Sequence, residues 1–197
     1  MTNLTDDVRA LVHLYGRVPK GTIIHILNQL TEGGMDEETL DRQIDREQLE
    51  AYKIDIINDH YVLQHFLEMD YSEEELRNKE QHPYYMPLGY DLEYYRDERY
   101  FEPNDAFDQL HEFLKTCYVR KKKAEKVAHG IQFHCRAAKR LEQLPSYLSQ
   151  QRLKLKPEEK DSFRQLIFNL VQQTRMYDFN GHTPNELGWK LELDMNL

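Results

Sequence analysis

"YKIDIINDHYVLQHF", residues 52–66, alternates apolar and polar side chains on either side of Asn58-Asp59, and that alternation decides how the first third of the chain is read. A period of two marks strands, and Asn-Asp between two such runs tolerates the left-handed backbone of a tight turn, so the spacing predicts a short β-hairpin. Upstream the period becomes that of a helix. In "LTDDVRALVHLY", residues 4–15, Leu4, Val8, Leu11, Val12 and Tyr15 fall on one side, with Thr2 or Thr5 as the cap and Gly16 as the stop. "VPKGTIIHILNQL", residues 18–30, predicts a second helix from near Pro19, carrying Ile23, Ile24, Leu27 and Leu30 and stopped by Gly33-Gly34. "MDEETLDRQIDREQL", residues 35–49, places Leu40, Ile44 and Leu49 on one side of a third helix.

Three helices followed by a hairpin is the order of elements in a winged-helix domain, which residues 4–67 resemble in pattern. The third helix of such a domain normally enters the DNA major groove with basic and amide side chains. Here residues 36–50 hold seven acids against Arg42 and Arg46. Phosphates would repel that helix, since their neutralisation supplies much of DNA affinity. The surface is therefore expected to meet a protein partner, with Asp41 and Asp45 in the contact. An alternative is that the acidic face imitates DNA and occupies a nucleic-acid-binding partner as an inhibitor.

The chain has 197 residues, of which 40% are hydrophobic and 31% charged, enough apolar content for a real core in one large or two small domains. Its first twenty residues place acids before the apolar positions and offer no small-residue cleavage site, so no secretory signal is expected. No run of about 18 apolar residues occurs, which argues against a membrane-spanning helix. Cys117 and Cys135 are too few for a disulfide framework, and a reducing cytoplasm is the expected setting. The net charge of −9 is unevenly distributed. Residues 32–112 carry 24 acidic against 7 basic side chains, a net of −17, whereas residues 119–160 carry 12 basic against 4 acidic, a net of +8. Such asymmetry orients encounters with partners or, more simply, lets the two stretches neutralise one another.

Residues 82–103, "HPYYMPLGYDLEYYRDERYFEP", set six tyrosines among acids and two arginines. Pro83 and Pro87 predict an extended start, and Leu88, Leu92, Tyr95 and Arg99 predict a short helix after it, flanked by Tyr90, Tyr94 and Phe101. Aromatic platforms for single-stranded nucleic acid lie in positive grooves, and this stretch is acidic. Tyrosine packs its ring while its hydroxyl reaches a polar partner, so the rings are read as a seam between the hairpin and the helices that follow. Tyr90 and Tyr94 are the candidates for partner contact, because aromatic rings are enriched at interfaces.

The remainder reads as helical. Phe107, Leu110, Phe113 and Leu114 form one stripe; Val127, Ile131, His134, Ala138 and Leu141 form another. Pro157 opens a final long helix with Phe163, Leu166, Ile167, Leu170, Val171, Thr174 and Tyr177 on one face, closed through Asn180-Gly181. Thr183, Pro184 and Glu186 form a capping-box sequence that predicts a last short helix burying Leu187 and Trp189. The expectation is thus a mainly α fold: a winged-helix-like domain over residues 1–70 with three helices and a short β-hairpin, a Tyr-rich connecting segment over 71–104, and a helical domain over 105–197.

"QQTRMYDFNGHTPNELG", residues 172–188, resembles the C-terminal stretch of a family of uncharacterised cytosolic proteins of Gram-positive bacteria, in which Thr-Arg-Met-Trp precedes Gly-His-Thr-Pro-Asn-Glu-Leu. "LYGRVP" at 14–19 and "PYYMP" at 83–87 are similar to that family's pattern. The chain departs from it in having Tyr177 at the tryptophan position, and these 197 residues lack the cysteine-rich, SEC-C-like metal motif of some relatives. The resemblance implies architecture and carries over no activity. It singles out Arg175, His182 and Asn185, whose simplest role is to fasten the last helix through hydrogen bonds to carbonyls.

No phosphate loop, HExxH, CxxC or nucleophile elbow is present, so neither an enzyme nor a cofactor is expected. His129, His134 and Cys135 are weak metal candidates; His134 lies within an apolar stripe, where a packed histidine is the better reading, and no metal is expected. Asp108, His111 and Glu112 share a helix face of an ordinary solvated kind. The leading expectation is a protein-interaction module or adaptor presenting the acidic third helix and the aromatic segment. The alternative is a transcription-associated DNA binder using residues 120–140, with Lys121, Lys122, Lys123, Lys139 and Arg140 on phosphates.

Overall fold

The structure is a computed structural model that describes residues 3–31 and 33–189. Thr2, one of the two threonines expected to cap the first helix, lies outside them. Asn3 is the cap instead: its side chain accepts the Thr5 N–H at 3.1 Å and starts α1 (Leu4–Tyr15). Thr5 is buried inside the first turn, where its hydroxyl accepts the Asp45 N–H at 3.0 Å. α1 stops at Gly16, whose φ of 73° suits a residue without a Cβ.

That turn leads directly into β1 (Arg17–Pro19), a strand the sequence pattern does not reveal because it is three residues long and ends in proline. Then come α2 (Lys20–Thr31), α3 (Glu37–Gln43), α4 (Arg46–Ala51), β2 (Ile54–Ile57) and β3 (His60–Leu63). The expected hairpin forms, with Ile57 opposite His60 and both Asn58 and Asp59 at positive φ, 48° and 59°. β1 joins it antiparallel, Arg17 opposite Val62, giving the order β1-β3-β2. Pro19 is tolerated there because β1 is an edge strand that can spare a donor. Leu11, Tyr15, Val18, Ile23, Ile26, Leu40, Leu49, Ile54, Tyr61 and Leu63 fill the core beneath the sheet.

The third helix is not continuous. Ile44 adopts extended backbone with ψ 128°, and Asp45 begins a new helix by accepting the Gln48 N–H at 3.0 Å. A capping side chain in mid-pattern offers the backbone an alternative to the next helical bond, and the Thr5 hydroxyl takes the Asp45 N–H released by the break. Leu40, Ile44 and Leu49 remain buried, so the apolar stripe survives the interruption.

α5 (Gln64–Leu67) and α6 (Glu73–Gln81), the latter started by a Ser72–Glu75 capping box, precede the tyrosine segment. Its helix is shorter than expected, a single turn, α7 (Leu92–Tyr95), and Leu88 and Arg99 stand outside it. The first compact unit comprises residues 1–100 together with Phe179–Gly181. Within it part of the tyrosine segment packs on α1. The Tyr15 hydroxyl donates to the Tyr85 carbonyl at 2.6 Å, Tyr84 meets the Tyr15 ring edge-on at 5.0 Å, and His13 Nδ1 lies 3.0 Å from the Tyr95 carbonyl.

The second unit spans Phe101–Asp178 and the chain from His182 onward. It contains α8 (Asp105–Cys117), α9 (Lys121–His134), α10 (Ala138–Leu141), α11 (Leu144–Gln150) and α12 (Lys160–Gln172), with a 3₁₀ turn at Pro157–Glu159 before α12; a second 3₁₀ turn, Tyr177–Phe179, begins in this unit. Leu110, Leu114, Val127, Ile131, Leu144, Phe163, Ile167 and Leu170 form its core. The stripe expected from Val127 to Leu141 is broken after His134. Asp178 accepts the Ala138 N–H at 2.9 Å and the Arg136 carbonyl accepts the Tyr177 N–H at 2.8 Å, so long-range partners replace helical bonds there. Asn180-Gly181 is left-handed, with φ of 49° and 80°, but α12 has already ended at Gln172. Beyond it the Thr183–Glu186 box forms at 3.0 and 3.2 Å yet heads only a turn; Leu187 is half-buried and Trp189 is 51% exposed.

Candidate functional site

The break in the third helix sets the chemistry of the acidic face. Asp36 and Asp45 are the N-caps of α3 and α4, each accepting a backbone N–H, so their carboxylates are structural as well as charged. Hydrogen bonding from the Thr39 side chain and backbone holds the Asp36 carboxyl below its ordinary range. Asp41 is paired with Lys20 at 3.0 Å. Glu37, Glu38, Glu47 and Glu50 are exposed along the same two helices, beside Asp36, Asp41 and Asp45, so all seven acids reach solvent. Their backbones are fixed from below by Leu40, Ile44 and Leu49, and a charged face on a rigid support is suited to docking.

The second exposed feature of the first unit is apolar. Tyr90 and Tyr94 are 68% and 55% exposed, and Met86 and Leu88 are exposed beside them in sequence. Tyr94 stacks on Tyr100 at 5.3 Å, whereas Tyr95 is buried. The six rings therefore divide into anchors on α1 and surface rings. A cleft of about 220 Å³ lies between the end of α4 and the end of α7, lined by Arg9, His13, Tyr52, Lys53, Arg96 and Asp97 among others. Arg9 lies over the Tyr52 ring at 4.0 Å, and Arg96 donates to Asp7 at 2.7 Å. These residues come from three distant stretches, and no local sequence signal groups them.

The basic residues expected to meet phosphates differ in exposure. Lys121 and Lys122 are exposed at the start of α9. Lys123 is engaged, donating to the Gln151 carbonyl at 2.9 Å over the Tyr118 ring. Arg140 is buried with its guanidinium 3.9 Å from the Phe133 ring centre. Lys139 and Arg140 lie beyond the far end of α9, roughly 20 Å along a helix of that length from Lys121.

Arg175 joins two carboxylates, donating to Glu102 at 2.7 Å and to Glu186 at 3.0 and 3.2 Å. His182 Nδ1 is 3.3 Å from Glu186, the Asn185 N–H bonds the Gln172 carbonyl at 3.1 Å, and the Asn185 side chain points to an exposed position. Carboxylates thus take part in the fastening, beside the Gln172 carbonyl. Burial opposes the charge on Glu186, but the Thr183 N–H, Arg175 and His182 together outweigh it and hold the carboxyl below its ordinary range.

His134 Nδ1 lies 2.8 Å from the Gly130 carbonyl, and burial, with help from Arg140, lowers its pKa. Cys135 is fully buried and burial pushes its thiol up. His129 lies against Phe107 at 4.8 Å, and Glu112 pairs with Lys115. Among the described residues no three His, Cys, Asp or Glu side chains converge as a metal site, and no helix is long and apolar enough to cross a membrane.

These observations define a mainly helical protein whose N-terminal order is winged-helix-like and whose third-helix face is acidic. No family model, curated protein or solved structure matches the chain.

Proposed function

We propose that this protein is a non-enzymatic interaction module that binds a basic protein surface through α3 and α4. The observation that carries this reading is the set of seven exposed acids on the two helices that follow α2, the place in the element order where a winged-helix domain has its DNA-reading helix. Duplex DNA would meet carboxylates there, so phosphate neutralisation, the main source of nucleic-acid affinity, is reversed in sign. A basic protein surface gains both steering and register from the same charges. Exposed Tyr90 and Tyr94, with Met86 and Leu88, supply the apolar and aromatic contacts that charge alone does not.

The test is a charge reversal that spares the caps. Glu37→Lys, Glu38→Lys and Glu50→Lys change the face while leaving Asp36 and Asp45 to hold the helices. The combined variant should fold as the wild type and lose protein partners captured from nuclease-treated lysate of the source cell. Capture of the same partners in equal amount would remove the acidic face from the account.

A further inference from the structure

One end of the second unit brings together two basic stretches that are far apart in sequence. Residues 118–126 lead into α9 and residues 151–159 follow α11; together they carry eight basic against three acidic side chains, a net of +5 in a chain of net −9. The Gln151 carbonyl joins them, accepting the Tyr118 hydroxyl at 3.3 Å and the Lys123 ammonium at 2.9 Å. Arg120, Lys121, Lys122, Arg152 and Lys154 are exposed, and none of the five has an ion pair among the described residues. Of the acids nearby, Glu112 is paired with Lys115 and Glu159 with Lys156; Glu125 and Glu158 are exposed and too few to offset the cations. Tyr118 and Arg120 both take extended backbone between α8 and α9, so the chain crosses without folding Val119 inward, and that side chain is fully exposed.

A hydrocarbon side chain held in water among unpaired cations suits a surface that is negative outside and apolar beneath. We infer that this end of the second unit docks on the anionic headgroups of a lipid bilayer, with Arg120, Lys121, Lys122, Arg152 and Lys154 at the phosphates and Val119 in the interfacial layer. Nucleic acid offers the same phosphates, but its single-stranded sites stack bases on open rings in a positive groove. The ring at this end, Tyr118, is covered by the Lys123 ammonium, 4.7 Å from its centre. One valine and a few charges give a reversible association rather than an anchor. Because the chain as a whole is acidic, the attraction is concentrated at this end, which orients the contact, and it fades over a Debye length of ~8 Å at physiological salt. The inference does not rest on the acidic face of α3 and α4.

The probes are vesicles of phosphatidylcholine alone and of three parts phosphatidylcholine to one part phosphatidylglycerol, sedimented with the full chain at low salt. The protein should sediment with the mixed vesicles, stay free with phosphatidylcholine, and be released by high salt. Lys121→Glu with Lys122→Glu and Lys154→Glu should keep the fold, read by circular dichroism, and weaken binding at least tenfold. Val119→Trp should tighten binding several-fold, and its added emission should shift to the blue on the mixed vesicles only. The inference is overturned by no sedimentation with the mixed vesicles, by equal binding to both kinds, by a folded charge-reversal variant that binds as the wild type, or by a Val119→Trp variant whose emission the mixed vesicles leave unchanged. Tighter binding to a duplex or single-stranded oligonucleotide than to mixed vesicles at equal phosphate would also overturn it and assign the basic end to nucleic acid.

Discussion

Asn180 shows how much one side chain can organise. It is fully buried in the first unit, its amide donates to the Lys79 and His82 carbonyls at 2.9 and 2.8 Å, and its carbonyl oxygen accepts from Lys79 Nζ. Lys79 is 3% exposed, so this bond stabilises an ammonium that burial would otherwise penalise. Asparagine also suits the left-handed backbone at this position. Asn180→Ala removes all three bonds and should cost about 3 kcal/mol in urea unfolding, since a buried charge loses a partner. A change below about 0.5 kcal/mol would contradict this role. Glu186 makes a prediction about pH. Its carboxyl titrates lower in the folded protein than in the unfolded chain, so its contribution is present above the unfolded value near ~4.3 and is lost as pH falls through the folded value. Glu186→Gln should therefore lower stability at neutral pH by roughly 1 kcal/mol, with the difference shrinking in acid. A penalty independent of pH would mean that the charge is idle and only the capping geometry counts.

Elements show where the sequence was legible and where it was not. The hairpin, α1, α2 and α8 follow from periodicity and turn chemistry, because their determinants are local: alternation around Asn58-Asp59, a glycine stop at Gly16, and an apolar stripe through Leu110 and Leu114. The break between α3 and α4 was hidden because Asp45 can sit in a helix or cap one, and its choice depends on the Thr5 hydroxyl forty residues away. The end of α9 was hidden likewise, since Asp178 and Tyr177 hold the chain there. Of the candidate surface residues, the acids and Tyr90 could be singled out from composition. The cleft of Arg9, Lys53 and Arg96 could not, because only the tertiary fold assembles it. Gly130 gives this a measurable form. In a helix interior, glycine to alanine ordinarily stabilises by about 1 kcal/mol. Here a Cβ would meet the Tyr147 hydroxyl at 1.8 Å and its ring carbon Cζ at 2.3 Å. Gly130→Ala should instead lower the thermal midpoint, with a net cost of about 1–3 kcal/mol from overpacking. A raised midpoint would show that α9 and α11 are not in this close approach.

For the whole molecule, charge is the property that bears on function. The acidic stretch of net −17, residues 32–112, covers the latter two thirds of the first unit's main segment and enters the second, and the basic stretch of net +8 lies within the second. A protein so divided draws oppositely charged partners to different parts of its surface, with an on-rate that falls as salt screens the attraction. The acids of α3 and α4 stand on a rigid, capped support, whereas Lys123 and Arg140 are engaged by their own unit, and this contrast favours a protein partner on the acidic face. The most direct measurement is a quantitative capture experiment from lysate, with and without nuclease, using three baits: wild type, the Glu37→Lys, Glu38→Lys, Glu50→Lys variant, and a Lys121→Glu, Lys122→Glu variant. Protein partners held by the wild type and the basic-segment variant, but lost from the acidic-face variant and at high salt, are the predicted result. Partners that disappear with nuclease, or with the basic-segment variant alone, would contradict it.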